Sequence, residues 1–167
     1  MKPGLAYMEL VFHPNVSLIS IVRRFVGDFY GSLFGDPETM SRLALASHEL
    51  LENAAKYSSS GETKLRVQVA EAPPGEAARR RVSILTWNEA IPEEIDSLRR
   101  IFGALNAAPD PFAYYQQRMR ETIKQSARSE LGLARIRAEA DMTLDCKVDG
   151  AMVCVIAEAD TQPRCEP

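Results

Sequence analysis

The chain has 167 residues, a length typical of one ordinary domain. Hydrophobic residues make up 46% of it and charged residues 26%, so it carries enough apolar material for a core. The net charge of −3 gives no electrostatic reason to expect nucleic acid, whose protein partners usually show a basic face. We expect a single domain over residues 1–160, followed by a disordered tail at 161–167.

The cysteines and the hydropathy pattern indicate in which cellular compartment the protein is found. Cys146, Cys154 and Cys165 are scattered without CxxC spacing, and their odd number favours reduced thiols over a disulfide framework. No signal-peptide pattern is visible, and no apolar run approaches the ~18 residues of a membrane span. We therefore expect a cytoplasmic protein that does not contact membranes.

The first half of the chain predicts one strand, two helices and two more strands. An apolar strand at 5–12 precedes a first helical pattern, and Asp36-Pro37-Glu38 then begins a second helix with a capping carboxylate and a proline. That helix runs to about Tyr57, and strands follow at 64–69 and 81–87. The predicted buried stripes are Ile19, Val22, Val26, Phe29 and Leu33 in the first helix and Leu43, Ser47, Leu50, Ala54 and Tyr57 in the second.

The second half predicts three helices and two closing strands. Pro92-Glu93-Glu94 and Asp110-Pro111 begin the first two helices, and a shorter third follows them. The closing strands, 142–148 and 151–159, are joined by a tight turn at Asp149-Gly150. Strands joined by hairpins, with helices gathered in blocks, predict an α+β two-layer sandwich. The predicted buried positions of the first two helices are Ile95, Leu98, Ile101, Phe102, Leu105, Phe112, Tyr115, Met119 and Ile123.

Three polar residues share one face of the second helix. Glu49, Asn53 and Lys56 lie three and four residues apart, so they project side by side, away from the apolar stripe and into a predicted cleft. A carboxylate can accept a hydroxyl proton, an amide oxygen can complete the shell of Mg²⁺, and a lysine offers positive charge to phosphates. The alternative is an ordinary solvent-exposed face, in which Glu52 and Lys56 form an i,i+4 pair.

The order of elements around this helix resembles the histidine-kinase-like (GHKL, Bergerat-fold) ATPase superfamily, and within it the anti-sigma-factor serine kinases. The pattern E-x-x-x-N-A-x-x-(H/K) of their ATP-binding helix stands here as "ELLENAAK" at 49–56. The sequence "SELGLARIRAEA" at 129–140 is similar to their second glycine box and its helix. The likeness covers residues 5–158, and it implies a Bergerat fold with a mixed sheet.

The resemblance also implies a set of site residues. Glu49 stands where the general base of the family stands, and Asn53 where its ligand to the Mg²⁺ of bound ATP stands. Lys56 and Tyr57 are expected near the phosphates and the edge of the nucleotide. The other expected nucleotide contacts are Asn88 at the adenine and Leu131, Gly132 and Leu133 around the phosphates.

The chain departs from the family in its glycines. The first glycine box, D-x-G-x-G, is replaced by "WNEAIP" at 87–92, which has no glycine after Asn88. Gly132 is the remaining close-approach position of the second box, and Glu130 before it would repel phosphates. Residues 92–125, where the family often has a glycine-rich lid, predict two orderly helices, which suit a closed nucleotide site or a partner surface.

These patterns leave three functions open. The first is a regulator that binds Mg-ATP and either phosphorylates a serine of an antagonist protein or sequesters a sigma-like partner, with a homodimer left open. The second is a protein-binding module that keeps the Bergerat scaffold and no longer binds ATP. The third is a dimerising or phosphotransfer domain of a histidine-kinase system. A regulator acting by partner switching is the function that the sequence predicts.

Overall fold

A computed structural model describes residues 6–71, 80–122 and 128–161, and within them five strands and five helices follow the predicted order. The strands are β1 (Ala6–Phe12), β2 (Thr63–Glu71), β3 (Arg80–Glu89), β4 (Thr143–Asp149) and β5 (Met152–Thr161). The helices are α1 (Val16–Phe34), α2 (Pro37–Tyr57), α3 (Pro92–Ala107), α4 (Pro111–Thr122) and α5 (Arg128–Glu139). No helix in the described part is long and apolar enough to cross a lipid bilayer. Residues 162–167 of the predicted tail lie outside the described residues.

The five strands form one sheet in the order β1-β2-β3-β5-β4. Each neighbouring pair in the described sheet is antiparallel, so the prediction of a mixed sheet is wrong. The reason is the closing hairpin. β3 and β4 both run antiparallel to β5, so they point in the same direction, but β5 lies between them and no parallel ladder forms.

The pleat of the sheet separates a helix-covered face from an open one. Leu65, Val67 and Val69 of β2 are fully buried, whereas Lys64 and Arg66 between them are half-buried. Residues that alternate along a strand point to opposite faces. α2 contacts β2, β3 and β5, and α3 and α5 contact β4, so the helices form a second layer on the buried face. The predicted two-layer α+β arrangement is confirmed.

Capping residues define the start of α1 and the turn between α1 and α2. The Asn15 side chain accepts a hydrogen bond from the Leu18 N–H at 3.0 Å, and Gly35 ends α1 with a φ of 63°. The Asp36 carboxylate accepts from the N–H groups of Glu38 and Thr39 at 3.2 and 2.9 Å. The predicted helix start at Asp36-Pro37-Glu38 is confirmed.

The predicted buried stripe of α1 is wrong at its C-terminal end. Ile19, Val22 and Val26 are buried as expected, but Phe29 exposes 46% of its surface and Leu33 is half-buried. Tyr30 and Phe34 are the buried residues there. Steps of three and of four residues both fit a helical stripe, and α1 is apolar around so much of its circumference that spacing alone does not choose between them.

The other stripes are confirmed in most positions. In α2, Leu43, Ser47, Leu50 and Ala54 are buried and Tyr57 is half-buried; in α3, Ile95, Leu98, Phe102 and Leu105 are buried and Ile101 is half-buried. In α4, Tyr115 is buried, but Phe112 and Met119 expose 55% and 37% of their surface, which contradicts the prediction. α4 packs against α5 and so buries a narrow face. Ile123 lies outside the described residues.

Candidate functional site

The predicted column on α2 lies in the seam between α2 and α5. Asn53 exposes only 7% of its surface and the Glu49 side chain 12%, whereas Lys56 is exposed. Leu50 and Ala54, on the neighbouring face of the helix, are core residues. α2 therefore packs on the sheet with one side and on α5 with the side that carries Glu49 and Asn53. Lys56 is therefore open to solvent, whereas Glu49 and Asn53 are largely covered.

Gly132 of α5 makes the close approach to this column. A Cβ at Gly132 would lie 2.5 Å from Oε2 of Glu49 and 3.7 Å from Nδ2 of Asn53. A larger residue would have to displace the Glu49 carboxylate, so glycine is required for the observed packing. Of its neighbours, Leu133 is a core residue and Leu131 is half-buried. The structure thus brings together three predicted site residues from two helices far apart in sequence.

Arg135 is the site residue that the sequence interpretation missed. Its Nη1 lies 3.2 Å from Oε1 of Glu49, and its Nε donates to Oε2 of Glu139 at 2.7 Å. Burial raises the pKa of the Glu49 carboxyl, and the Arg135 guanidinium partly opposes this. The available signal was spacing: Arg135 follows Gly132 by three residues, and such residues share a helix face.

Asn53 has a buried amide nitrogen with no hydrogen-bond partner among the described residues. Leaving a buried donor or acceptor unpaired costs ~1–3 kcal/mol, so such groups need a reason. Asn53 sits where packing alone would favour an apolar side chain. An unpaired amide beside a buried carboxylate and a glycine is an arrangement suited to a polar ligand.

The position expected for adenine is nearly filled. A cavity of about 20 Å³ lies between α2 on one side and β3, β5 and the start of α3 on the other. Its lining includes Asn53, Tyr57, Thr86, Asn88, Ala90, Glu94 and Leu98. A space of this size holds about one water molecule, whereas ligand pockets usually measure ~300–1,000 Å³. The Asn88 amide is turned to the Glu89 carbonyl, to which it donates at 3.3 Å.

A larger groove opens on the other side of Asn53. It has a volume of about 370 Å³ and lies between α2 and the N-terminal end of α1. Its lining includes Pro14, Asn15, Ile19, Glu49, Glu52, Asn53 and Lys56. Glu52 forms an ion pair with His48 at 3.3 Å. Glu49, Asn53 and Lys56 therefore share one groove, and Asn53 also lines the small cavity together with Tyr57 and Asn88.

The two halves of the site fit a nucleotide unequally. On the groove side, the buried amide of Asn53, the ammonium of Lys56 and the close approach at Gly132 suit phosphates and a hard cation. Within the described residues, no cluster of three His, Cys, Asp or Glu side chains could hold a metal by itself. The cavity between Asn88 and α2 is too small for a purine, whereas the other side of Asn88 borders a groove of about 640 Å³ that Lys64, Arg66 and Trp87 also line. The groove therefore suits phosphate groups, and the small cavity between Asn88 and α2 does not hold an adenine.

Comparison with known proteins gives a fold and no family. No family model matches the chain, and no curated protein matches it. A chain of the crystal structure of the SiaB-SiaC complex from Pseudomonas aeruginosa superposes with a TM-score of 0.62, over 92% of this chain and 89% of that one. The two chains share a fold. At 15% sequence identity the likeness extends to the fold alone.

Proposed function

We propose that this chain is a regulatory protein of the partner-switching type, which acts by binding and releasing another protein. The structural neighbour supports this because it is a chain of the SiaB-SiaC complex, and this chain has the same fold over nearly all of its length. The resemblance to anti-sigma-factor kinases supports a partner of the sigma-like or antagonist class. The scaffold in this proposal is a Bergerat fold.

The observation that carries the proposal is the small size of the cavity between Asn88 and α2, where the resemblance would place the purine of ATP. A protein kinase must hold the purine of ATP, but the cavity at Asn88 has room for about one water molecule. Ala90 and Leu98, which line this cavity, belong to the segment that replaces the glycine box and begins α3. Contact with a protein does not need that cavity. Binding is therefore the activity that remains compatible with the packing of α2 and α3.

The surface that we assign to the partner is the outer face of α4. Phe112 and Met119 are seven residues apart, so they share this face, and both are exposed. Behind them, the Tyr114 hydroxyl donates to Glu130 at 2.6 Å and Arg118 lies 3.2 Å from the same carboxylate, which fixes α4 on α5. Rigidly held apolar side chains are typical anchors of protein interfaces.

Phe112→Glu tests this assignment. The wild-type chain is used to capture proteins from extracts of its source cells, and each captured protein is then purified and titrated directly. We expect one such protein to bind the wild type and to bind Phe112→Glu at least tenfold more weakly. Val11→Glu, which alters a residue of similar exposure on β1, is the matched control and leaves affinity unchanged. Equal affinity of wild type and Phe112→Glu, or no directly binding protein, contradicts the assignment.

The second candidate is a Mg-ATP-dependent serine kinase, and the unpaired amide of Asn53 is the observation that favours it. In such an enzyme, ATP would supply the phosphoryl group. Asn53 would face the cation, Lys56 the phosphates, and Glu49 the hydroxyl proton of the serine. Transfer of phosphate from ATP to a captured partner, lost in Glu49→Gln, would establish this candidate in place of a purely binding function.

A further inference from the structure

The open face of the sheet carries a groove of about 640 Å³. Its floor is a row of side chains across neighbouring strands, because Val11 of β1 pairs with Lys64 of β2, and Lys64 pairs with Trp87 of β3. Residues paired in this way project from the same face of a sheet. The loops at His13 and Ser60 line one end of the groove. Its volume lies in the range of ~300–1,000 Å³ that is usual for small-molecule sites.

Three apolar side chains of the groove remain accessible to solvent. Val11 and Met152 expose 57% and 40% of their surface, and Trp87, whose strand lies between theirs, is half-buried. None of the three belongs to the main core cluster, which lies on the other face of the sheet. An indole ring flanked by aliphatic side chains suits a flat apolar ligand.

Two cations lie beside the tryptophan ring. Nζ of Lys64 and Cζ of Arg66 are 5.3 and 5.0 Å from the centroid of the Trp87 ring. Both cations share the Glu9 carboxylate, whose oxygens lie 2.9 Å from Lys64 Nζ and 2.8 Å from Arg66 Nη2. One carboxylate against two cations leaves a net positive charge. An ammonium has three donors and a guanidinium has five, so both keep donors beyond those that Glu9 accepts.

Neighbouring contacts hold this cationic end in place. The Tyr7 hydroxyl donates to Glu9 at 2.7 Å, and the Tyr7 ring centroid lies 5.4 Å from Cζ of Arg66. Hydrogen bonds from Lys64, Tyr7 and Arg66 lower the pKa of Glu9 to about 2, so its carboxylate stays charged at neutral pH. Groups that are already ordered lose little entropy when a ligand binds.

The opposite end of the groove is acidic. Glu62 and Glu89 are exposed, line the groove, and lie two residues along the chain from Lys64 and Trp87 respectively. Since β2 and β3 are antiparallel, both steps lead away from Arg66 in the same direction. Two residues of a strand span ~6.6 Å. A ligand on Trp87 therefore meets positive charge at one end and negative charge at the other, a small ring molecule apart.

We propose that this groove binds a small zwitterion whose flat apolar body separates a carboxylate from an ammonium group. The body lies on Trp87, the carboxylate accepts hydrogen bonds from Lys64 and Arg66, and the ammonium faces Glu62 and Glu89. An aromatic ring with a carboxylate and a para aminomethyl group is a simple molecule of this class. The helices cover the other face of the sheet, so the test of this groove is separate from those of the proposed function.

The fluorescence of Trp87, the only tryptophan of the chain, reports binding directly. The purified chain is titrated at low ionic strength with para-aminomethylbenzoate, and with benzoate and benzylammonium, each of which lacks one charged end. We expect a saturable change for the zwitterion with a dissociation constant of ~1 mM or less, and at least tenfold weaker binding of both other probes. A weaker dissociation constant for the zwitterion, or a smaller preference for it, overturns the proposal.

Variants that remove one charge assign the two ends of the ligand. Lys64→Gln is expected to weaken the zwitterion at least tenfold and to bind benzylammonium no more weakly than the wild type does. Glu89→Gln is expected to weaken the zwitterion at least threefold and to bind benzoate no more weakly. Lys147→Gln, which changes an exposed lysine of β4 outside the groove lining, is the matched control and leaves all three affinities unchanged.

Unchanged circular dichroism shows that each of these variants is folded. Binding of the zwitterion by Lys64→Gln or Glu89→Gln as tightly as by the wild type overturns the assigned orientation. An equal loss of binding in Lys147→Gln overturns the site itself, because it would show that the net charge of the sheet face, rather than the groove, determines the affinity.

Discussion

At the scale of single residues, Asn53 marks where the two halves of the candidate site meet. It lines both the small cavity towards Asn88 and the larger groove towards Lys56. Its amide nitrogen is buried and unpaired in the described structure, while Glu49 beside it is held by Arg135. Packing does not explain a buried polar pair at this seam, because apolar residues would be more stable there. The pair is therefore the part of the molecule whose chemistry points beyond stability.

Glu49→Gln tests the environment of this pair through pH. Burial raises the pKa of Glu49 above its ordinary value of 4.5, so the folded chain keeps the proton to higher pH than the unfolded chain does. The stability that this gives is present below pH 4.5 and is lost as the pH rises through the raised pKa, at about 1.4 kcal/mol per unit of pKa shift. We therefore expect Glu49→Gln to gain stability relative to the wild type between pH 4 and 7, as measured by urea unfolding.

Arg135→Gln is the companion variant for this prediction. Because the guanidinium opposes the effect of burial, its removal raises the pKa of Glu49 further. The loss of stability with rising pH should then continue to a higher pH in Arg135→Gln than it does in the wild type. Parallel stability curves for the wild type and Glu49→Gln across this range would contradict the buried position of the carboxylate.

At the scale of elements, the close crossing of α1 and α2 depends on glycine. A Cβ at Gly31 would lie 2.8 Å from Cγ of Met40 and 3.0 Å from its Cβ, which is nearer than packed atoms approach. We expect Gly31→Ala to lower the free energy of unfolding by ~1–3 kcal/mol, because the two helices must separate.

The control for Gly31→Ala is Gly103→Ala in α3, where a Cβ would meet nothing within 4 Å. There the change should stabilise by ~0.5–1 kcal/mol, since alanine restricts the unfolded chain and favours the helix. Urea midpoints of the two variants, at an unchanged m-value, measure both effects. Stabilisation of similar size in both would show that α1 and α2 do not cross as closely as described.

The elements themselves could be predicted from sequence because their signals are local. Asp36-Pro37-Glu38 and Pro92-Glu93-Glu94 mark helix starts, and the alternation of Leu65, Val67 and Val69 marks a strand. The side of α1 that is buried and the placement of β5 between β3 and β4 depend on tertiary packing, which local spacing does not encode. This is why the stripe through Phe29 and the mixed sheet were wrong.

The candidate site could be predicted only in part for the same reason. Glu49 and Asn53 follow from their spacing on one helix, and Gly132 follows from the resemblance. Their contact in space, the ion pair to Arg135 and the filled cavity beside Asn88 arise from how α5 and α3 pack on α2. The residue types in the sequence indicate which ligands the side chains could bind, whereas the packing of the helices determines which of those ligands fit.

At the scale of the whole molecule, the two contacts of the proposed function lie on separate surfaces. α4 presents the face proposed for a partner, and the seam of α2 and α5 holds the candidate polar site. Both belong to the helix layer, and the sheet supports them from one side. Variants can therefore test partner binding and ligand binding separately within one chain.

The central claim is that the site does not accommodate the purine of ATP, and isothermal calorimetry tests it most directly. The chain is titrated with ATP and with tripolyphosphate, each with and without Mg²⁺, and Asn53→Leu serves as the control. The account predicts no micromolar affinity for ATP and no advantage of ATP over tripolyphosphate. Mg²⁺-dependent binding of ATP at micromolar concentration, ~8 kcal/mol, tighter than that of tripolyphosphate and lost in Asn53→Leu, would contradict it.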